Sequence, residues 1–327
     1  MRVLTVTNMY PTPDRPAYGT FIKEQVDSLR EAGIEVDVLA FDGGGSVKNY
    51  LQAGRAVRRI LHKNPYDLVH AHYGLTGIAA RVQTRCPVVV TFHGSDLLGE
   101  VNSRRQYTLH GAVKTLISRL VALCVAQRIV VADMLKSALW FRSAVTIPMG
   151  IDLSLFKPMP PREAREQLGL SHDKQRVLFV AHPHDYTKRF DIAQAAICLL
   201  QESALNVELL PLYGMPHHRV PLFMNACDAL VLTSMHEASP CVIKEAMACN
   251  LPIVSVNVGD VAERIGGVEG CYLCDRTSHD VAAKLRKVLE NGRRTDGREK
   301  VRNLSLPSVA KRVIAVYEQV LATDGTH

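Results

Sequence analysis

Two carboxylates eight positions apart, Glu237 and Glu245, bracket the stretch Glu237-Ala-Ser-Pro-Cys-Val-Ile-Lys-Glu245. The first follows an apolar, strand-like run, Ala229–Ser234, and the second lies in a helix-like segment, Val242–Cys249. A strand that ends near one acid, turns, and opens a helix carrying another puts both at the carboxyl edge of a parallel sheet. That edge is where open α/β sheets bind ligands. An ionised carboxylate offers two acceptor oxygens, so Glu245 has the chemistry to hold the vicinal hydroxyls of a ribose, and Glu237 those of a sugar. Between them Ala238, Ser239 and Pro240 form a turn whose free amides suit phosphate or sugar as the helix begins at Cys241 and Val242. Ser239 is a candidate helix cap and Pro240 fits a first turn. By spacing alone the pair also fits two surface acids, with Lys244 and Glu245 on a solvated face.

Cations stand in a matching place. The segment Val180-Ala-His-Pro-His-Asp-Tyr-Thr-Lys-Arg-Phe-Asp191 joins another strand to another helix. It sets Lys188 and Arg189 at the helix start, with His182 just after the strand. Cations there oppose the helix dipole, which points to an anionic ligand, and both types clamp phosphate oxygens. In the first half, Gly19 precedes a helix whose N-terminal amides suit a diphosphate, and glycine permits close backbone approach. Thr91-Phe-His-Gly-Ser-Asp96 follows a strand and sets His93 at the sheet edge, able to hydrogen-bond a substrate hydroxyl. His70-Ala-His72 puts two rings on one face of a strand, which reads as packing and crevice lining.

The elements that carry these residues alternate. Strands are expected at Arg2–Thr7, Glu35–Phe41, Leu68–His72, Val88–Phe92, Gln127–Val131 and Val145–Ile147, and helices at Phe21–Ala32 and Val47–His62. After a Pro-rich linker, Pro148–Pro161, strands restart at Val177–Val180, Val207–Leu210, Leu230–Thr233, Ile253–Val256 and Tyr272–Leu273. Helices interleave at Phe190–Leu200, Val242–Cys249, Val261–Ile265 and Ser278–Glu290. This is the pattern of two parallel, doubly wound sheets in tandem. A last amphipathic helix spans Ser308–Leu321. The boundaries expected are 1–150, 151–307 and a C-terminal helix, 308–327, on the first domain.

The 327 residues are 47% hydrophobic and 22% charged, within the globular range. No apolar run reaches the ~18 residues of a membrane span, and the N-terminus reads as a strand rather than a leader, which predicts a cytoplasmic protein. The eight cysteines sit in apolar context, as small buried hydrophobes of a reducing compartment. The lone Cys271-Tyr-Leu-Cys274 lacks the second pair a zinc site wants. A net charge of +7 comes with no RNP pattern or zinc-finger spacing, so nucleic acid is not expected. Arg104, Arg105, Lys114, Arg119 and Arg128 surround an apolar run, Leu109–Val125, that suits either an anionic membrane surface or a core helix with basic edges. The second is the preferred reading.

Taken together, these residues resemble the retaining GT-B glycosyltransferases of glycosyltransferase family four over nearly the whole chain. The strongest likeness runs from Asn225-Ala-Cys-Asp228 through the two glutamates to Pro252–Gly259. Thr91–Asp96, Ile147-Pro-Met-Gly-Ile-Asp152 and Tyr18-Gly-Thr-Phe21 are similar to the family's first-domain histidine motif, linker and donor-side loop. Gly19–Gln25 is closest to the surface-polysaccharide and teichuronic-acid branch. The resemblance implies a GT-B architecture with a C-terminal helix returning to the first domain. It implies a nucleotide-sugar donor, a UDP-sugar foremost, with no metal, and a glycan, glycolipid or small-molecule acceptor. Lys188 with Arg189 would bind the donor pyrophosphate and Glu245 the ribose. Glu237 and the turn after it would contact the transferred sugar, as would His93. The chain departs from the family at Ala181-His182, where Gly-Arg is common, at Ala238, where Gly is common, and in a compressed Leu210–Pro221. A non-hydrolysing epimerase and a non-catalytic nucleotide-sugar scaffold are the alternatives.

Overall fold

The computed structural model describes residues 1–44, 46–102, 106–140 and 143–324, residue 324 as backbone alone. Two compact units divide the chain: Met1–Gly150 with the C-terminal residues from Leu306, and Ile151–Ser305.

The first unit runs β1 (Arg2–Thr7), α1 (Thr20–Glu31), β2 (Glu35–Ala40), α2 (Val47–Lys63), β3 (Leu68–His72), α3 (Gly74–Arg81), β4 (Val88–Phe92), α4 (Ser95–Leu98), α5 (Leu109–Leu123), β5 (Gln127–Val130) and β6 (Val145–Thr146). All strand pairs are parallel, in the order β2-β1-β3-β4-β5-β6. Both faces are covered by helices, which is why β3 and β4 are buried throughout and show no polar alternation.

The second unit runs α6 (Pro161–Leu168), β7 (Gln175–Phe179), α7 (Phe190–Glu202), β8 (Val207–Pro211), α8 (Val220–Ala226), β9 (Ala229–Leu232), α9 (Cys241–Ala248), β10 (Ile253–Val256), α10 (Val261–Ile265), β11 (Tyr272–Cys274), α11 (Ser278–Asn291) and α12 (Gly297–Val301). Its parallel sheet has the order β11-β10-β9-β7-β8. The core is built on Val177, Leu178, Leu230, Val231, Ile243, Met247, Ile253 and Val254. Helix α6 starts inside the Pro-rich stretch read as linker, because Pro161 stands at a first-turn position that needs no amide donor.

The last helix, α13 (Leu306–Asp324), clusters with the first unit. It buries Val309, Val313, Val316, Tyr317 and Val320 against Val26, Leu29 and Val36. These positions recur at helical spacing, so one stripe faces the core.

Helix α5 overturns the preference for a core helix. Gly111, Ser118, Val121 and Ala122 face inward. Leu109, Val113, Leu116, Leu120 and Leu123, spaced four, three, four and three apart, face outward, and Leu109 is 83% exposed. Arg128 is turned back onto the end of this helix, donating to the carbonyls of Ala122 and Val125. Arg104 and Arg105 lie outside the described residues. The cysteines are also more varied than expected: Cys227, Cys249 and Cys274 are buried, while Cys124 and Cys198 are exposed.

Candidate active site

In the second sheet β7 and β9 are neighbours, and the crossovers leaving them run in opposite directions, from β7 to β8 and from β9 to β10. Such a reversal opens a crevice at the carboxyl ends of the two strands. The loop after β7 carries His182, Lys188 and Arg189, and the loop after β9 carries Glu237 and the turn into α9. Lys188 Nζ donates to Glu237 Oε1 at 2.6 Å. The two loops are also tied through the backbone. Thr233 Oγ1 lies 2.9 Å from the carbonyl oxygens of both Lys188 and Arg189, and the Met235 amide donates to Thr187 O at 2.7 Å.

Arg189 has a left-handed backbone, φ 54°, between the short 3-10 turn Tyr186–Lys188 and α7. Asp191 grips its guanidinium at two points, 2.8 and 2.7 Å, and raises its pKa chiefly through that hydrogen bond. Each cation thus has a carboxylate partner, and the expected penalty of a bare cation at a helix start is offset locally. His182 Nδ1 accepts from the His184 amide at 3.1 Å, and its ring meets Tyr213 with centroids 4.5 Å apart.

The Glu237 turn is backed by Gly259, whose φ is +58°. A Cβ there would stand 2.8 Å from Ala238 C and 2.9 Å from Glu237 O, so only glycine lets the chain after β10 pass beneath the turn. The Asp260 amide donates to Ala238 O at 3.0 Å. Ser239 does not cap α9: its hydroxyl lies 2.8 Å from Asp260 Oδ2, which also accepts from Arg264 at 2.9 Å. Pro240 occupies the cap position itself, and Cys241 and Val242 form the first turn.

The surface-acid reading of the second glutamate fails. Lys244 is fully buried and Glu245 is 6% exposed, because α9 is enclosed between β10 and α12. Lys244 Nζ reaches Ser239 Oγ at 3.3 Å. Glu245 Oε1 lies 3.0 Å from His217 Nε2, and the His217 ring packs on Phe156 with centroids 5.2 Å apart. His217 escaped the sequence reading. It begins a 3-10 turn, His217–Arg219, inside the segment read as compressed, and nothing local announces a partner 28 residues downstream.

In the first unit His93 follows β4. Its Nε2 lies 3.1 Å from His72 Nδ1, and its ring meets Tyr73 and Phe21 at centroid distances of 4.5 and 5.3 Å. Asp96 accepts from the amides of Gly74 at 3.1 Å, His93 at 3.2 Å and Gly94 at 2.9 Å, which fixes the loop. Burial pushes the Asp96 carboxyl up to about 6, against the pull of those amides. Tyr73 holds a left-handed φ of 74°, a strained setting for an aromatic residue and one that no sequence signal marks. Behind His72, the buried His70 ring spends Nδ1 on the Tyr317 hydroxyl at 2.6 Å and Nε2 on Thr91 Oγ1 at 2.8 Å. Burial pushes His70 down to about 3 and His72 well below the ordinary imidazole range, so both rings are neutral near pH 7. Gly19, φ +73°, opens α1, and a Cβ there would come within 2.6 Å of the Met9 backbone.

Among the described residues no three His, Cys, Asp or Glu side chains gather as a metal-binding group. Burial pushes Cys271 up to about 11 and Cys274 up to about 12, the reverse of the thiolate a metal or redox site uses.

Comparison with known proteins agrees with this geometry. Residues 18–155 match Glycosyltransferase Family 4, and residues 193–304 match Glycosyl transferases group 1. The chain is 28% identical over 333 residues to the putative teichuronic acid biosynthesis glycosyltransferase TuaC of Bacillus subtilis (strain 168), covering 81% of this chain and 83% of that one. The sucrose-phosphate synthase of Thermosynechococcus elongatus superposes with a TM-score of 0.83 at 19% identity, covering 99% of this chain and 100% of the other. Anabaena HepE in complex with UDP-glucose superposes with a TM-score of 0.66 at 18% identity, each chain covered in full (100%). The first unit thus carries a match to Glycosyltransferase Family 4 and the second a match to Glycosyl transferases group 1, and the chain is a glycosyltransferase built on two doubly wound units.

Proposed function

We propose that this glycosyltransferase moves a sugar from a UDP-sugar to a hydroxyl of a glycan or glycolipid with retention at the anomeric carbon, on the cytoplasmic side of a membrane, in cell-surface polymer synthesis. The observation that carries the donor reading is the Lys188–Glu237 contact at the strand-order reversal, with the buried Glu245–His217 pair on the adjoining helix. The name of the teichuronic acid relative supports the surface-polymer reading, and the UDP-glucose complex of HepE supports the donor.

As the sugar–phosphate bond breaks, the anomeric carbon gains oxocarbenium character. Lys188, Arg189 and the amides entering α9 offset the charge growing on the diphosphate, which requires no metal in this scheme. Gly19, at the start of α1, offers that helix's first amides to an anionic group of the donor. Glu245 takes the ribose hydroxyls, its carboxylate oriented by His217. Glu237 holds sugar hydroxyls and releases Lys188 Nζ toward phosphate; it is not a covalent nucleophile. The acceptor hydroxyl attacks from the face the phosphate leaves and gives its proton to a phosphate oxygen. His93, oriented through His72 and Asp96, hydrogen-bonds the sugar. His182 contacts the phosphates, and Ala238, Ser239, Pro240, Cys241 and Val242 shape the floor under the sugar.

Calorimetry with UDP-, GDP- and ADP-glucose tests the donor reading. One nucleotide sugar should bind and Lys188→Ala should abolish it; silence from all three, or binding indifferent to Lys188→Ala, overturns it. The outward row Leu109, Val113, Leu116, Leu120 and Leu123 supports contact with an anionic bilayer, an apolar stripe on a helix whose only charges are Lys114 and Arg119. No helix among the described residues is long and apolar enough to cross a membrane. Co-sedimentation with phosphatidylglycerol vesicles at low salt should be lost in Leu116→Asp; absence of binding by the parent protein removes this part of the proposal.

A further inference from the structure

A polar thread runs through the apolar contact between α13 and the first sheet. Val309, Val313, Val316 and Val320 make that stripe of α13 apolar, yet Tyr317 stands among them fully buried and spends its hydroxyl on His70 Nδ1 at 2.6 Å. His70 in turn places Nε2 2.8 Å from Thr91 Oγ1 on β4. His70 and His72 alternate along β3, so their rings share one face, and they stack with centroids 4.4 Å apart and planes 32° from parallel. His72 then places Nδ1 3.1 Å from His93 Nε2, its ring tilted 30° from the His93 ring. Tyr317, His70, Thr91 and His72 are each at most 1% exposed. His93 is half-buried and follows β4 at the carboxyl edge of the sheet.

Apolar side chains of similar shape would fill this contact without the cost of desolvating polar groups. Here the buried groups satisfy one another, so removing one leaves an atom of its neighbour unpaired. The last link carries chemistry. A hydrogen bond between two ring nitrogens needs one of them protonated and the other bare. Burial holds His70 and His72 neutral near pH 7. The tautomer of His72 therefore decides which nitrogen of a neutral His93 carries the proton, and with it whether His93 Nδ1 is a donor or an acceptor. A sugar hydroxyl can meet either, but in opposite orientations.

We infer that Tyr317, at the far end of this thread, is a positioning residue for His93: it fixes the His70 ring, His70 holds the plane of His72, and His72 sets the orientation and tautomer of His93. This rests on the reading of His93 as a contact of the transferred sugar, and it gives the C-terminal helix a part in that contact.

The test uses the full chain with isotope-labelled histidine side chains read by NMR, and His93→Gln identifies the His93 signals. The parent protein should show one His93 tautomer. Tyr317→Phe keeps the ring and removes the hydroxyl. The His93 signals should then move toward a mixture of tautomers, and UDP-glucose turnover should fall by about 10- to 100-fold with UDP affinity unchanged. Thr91→Val removes the other partner of His70 and should act in the same direction. Val309→Ala loosens α13 about 12 Å away along the helix, so it should lower the melting temperature and leave the His93 signals as in the parent. Unmoved His93 signals in Tyr317→Phe and Thr91→Val, turnover that holds when they move, or the same movement in Val309→Ala overturns the inference. UDP-glucose titration of the parent separates the two claims: donor binding with unmoved His93 signals in the variants defeats this inference alone, and absence of donor binding defeats the function on which it rests.

Discussion

Substitutions at the Lys188–Glu237 contact would tell a donor site from a structural ion pair. The Lys188 side chain is 30% exposed and that of Glu237 15%, between a surface pair and a buried one. Exposed pairs contribute about 0–1 kcal/mol, and breaking a buried pair costs about 3–5 kcal/mol. Removing either partner should therefore cost about 2 kcal/mol, or roughly 4–8 °C in Tm for a unit of this size. If the pair is structural only, Lys188→Met and Glu237→Gln behave alike. If Lys188 serves a diphosphate, they part. Lys188→Met removes a charge-assisted hydrogen bond of about 1.5–3 kcal/mol, so UDP should bind roughly 10- to 150-fold more weakly. Glu237→Gln keeps the ammonium and removes its competitor, so UDP affinity should hold or rise by up to about tenfold, while sugar transfer falls by about 100-fold or more. Calorimetry with UDP alone reads the first effect, since UDP lacks the sugar that Glu237 would hold. Equal losses of UDP affinity in both variants, or none in Lys188→Met, would refute the reasoning.

His217→Phe retains the ring packing on Phe156 and deletes the hydrogen bond to Glu245; UDP should bind about tenfold more weakly, while thymidine diphosphate sees a smaller change if the ribose 2′-hydroxyl is what Glu245 reads. Gly259→Ala forces a Cβ into the backbone at Ala238 and Glu237 from a left-handed φ, so it should lower the Tm by several degrees and transfer by about tenfold or more, whereas Gly292→Ala, with open space around it, should leave transfer intact. Acid should destabilise the first unit through His70. Its folded pKa of about 3 lies below the ordinary 6.5, so the unfolded chain binds a proton that the native ring refuses, and stability falls as pH drops from about 6.5, by up to about 1.4 kcal/mol per pH unit. Asp96, raised to about 6, acts in the opposite sense between about 4 and about 6, where the native state holds the extra proton. His72, also held well below 6.5 by burial, acts with His70, and the two together outweigh Asp96, so thermal melts from pH 7 to pH 5 should slope downward in the parent protein and flatten in His70→Gln; parallel slopes would reject this origin.

The local pattern carried the architecture. Strands such as β4 and β10 are buried on both faces, and that enclosure writes itself into sequence as short Val- and Ile-rich runs between turn residues. The loops after β7 and β9 are legible for the same reason: Lys188 and Glu237 sit in the turns that join strand to helix, and those punctuation points are local. Helix α6 was hidden because Pro161 signals either a linker or a first turn, and only the helix it begins decides which. What the chain could not show by itself were the meetings between distant segments. Nothing along the sequence pairs Lys188 with Glu237, turns Ser239 from a cap to a partner of Asp260, or brings His217 to Glu245, because each contact follows from how crossovers return to one sheet edge. The outward stripe of α5 is the sharpest instance: its apolar period is visible in sequence, but period alone states that a face is apolar, and only the packing of Gly111, Ser118 and Ala122 inward decides that the leucines face out.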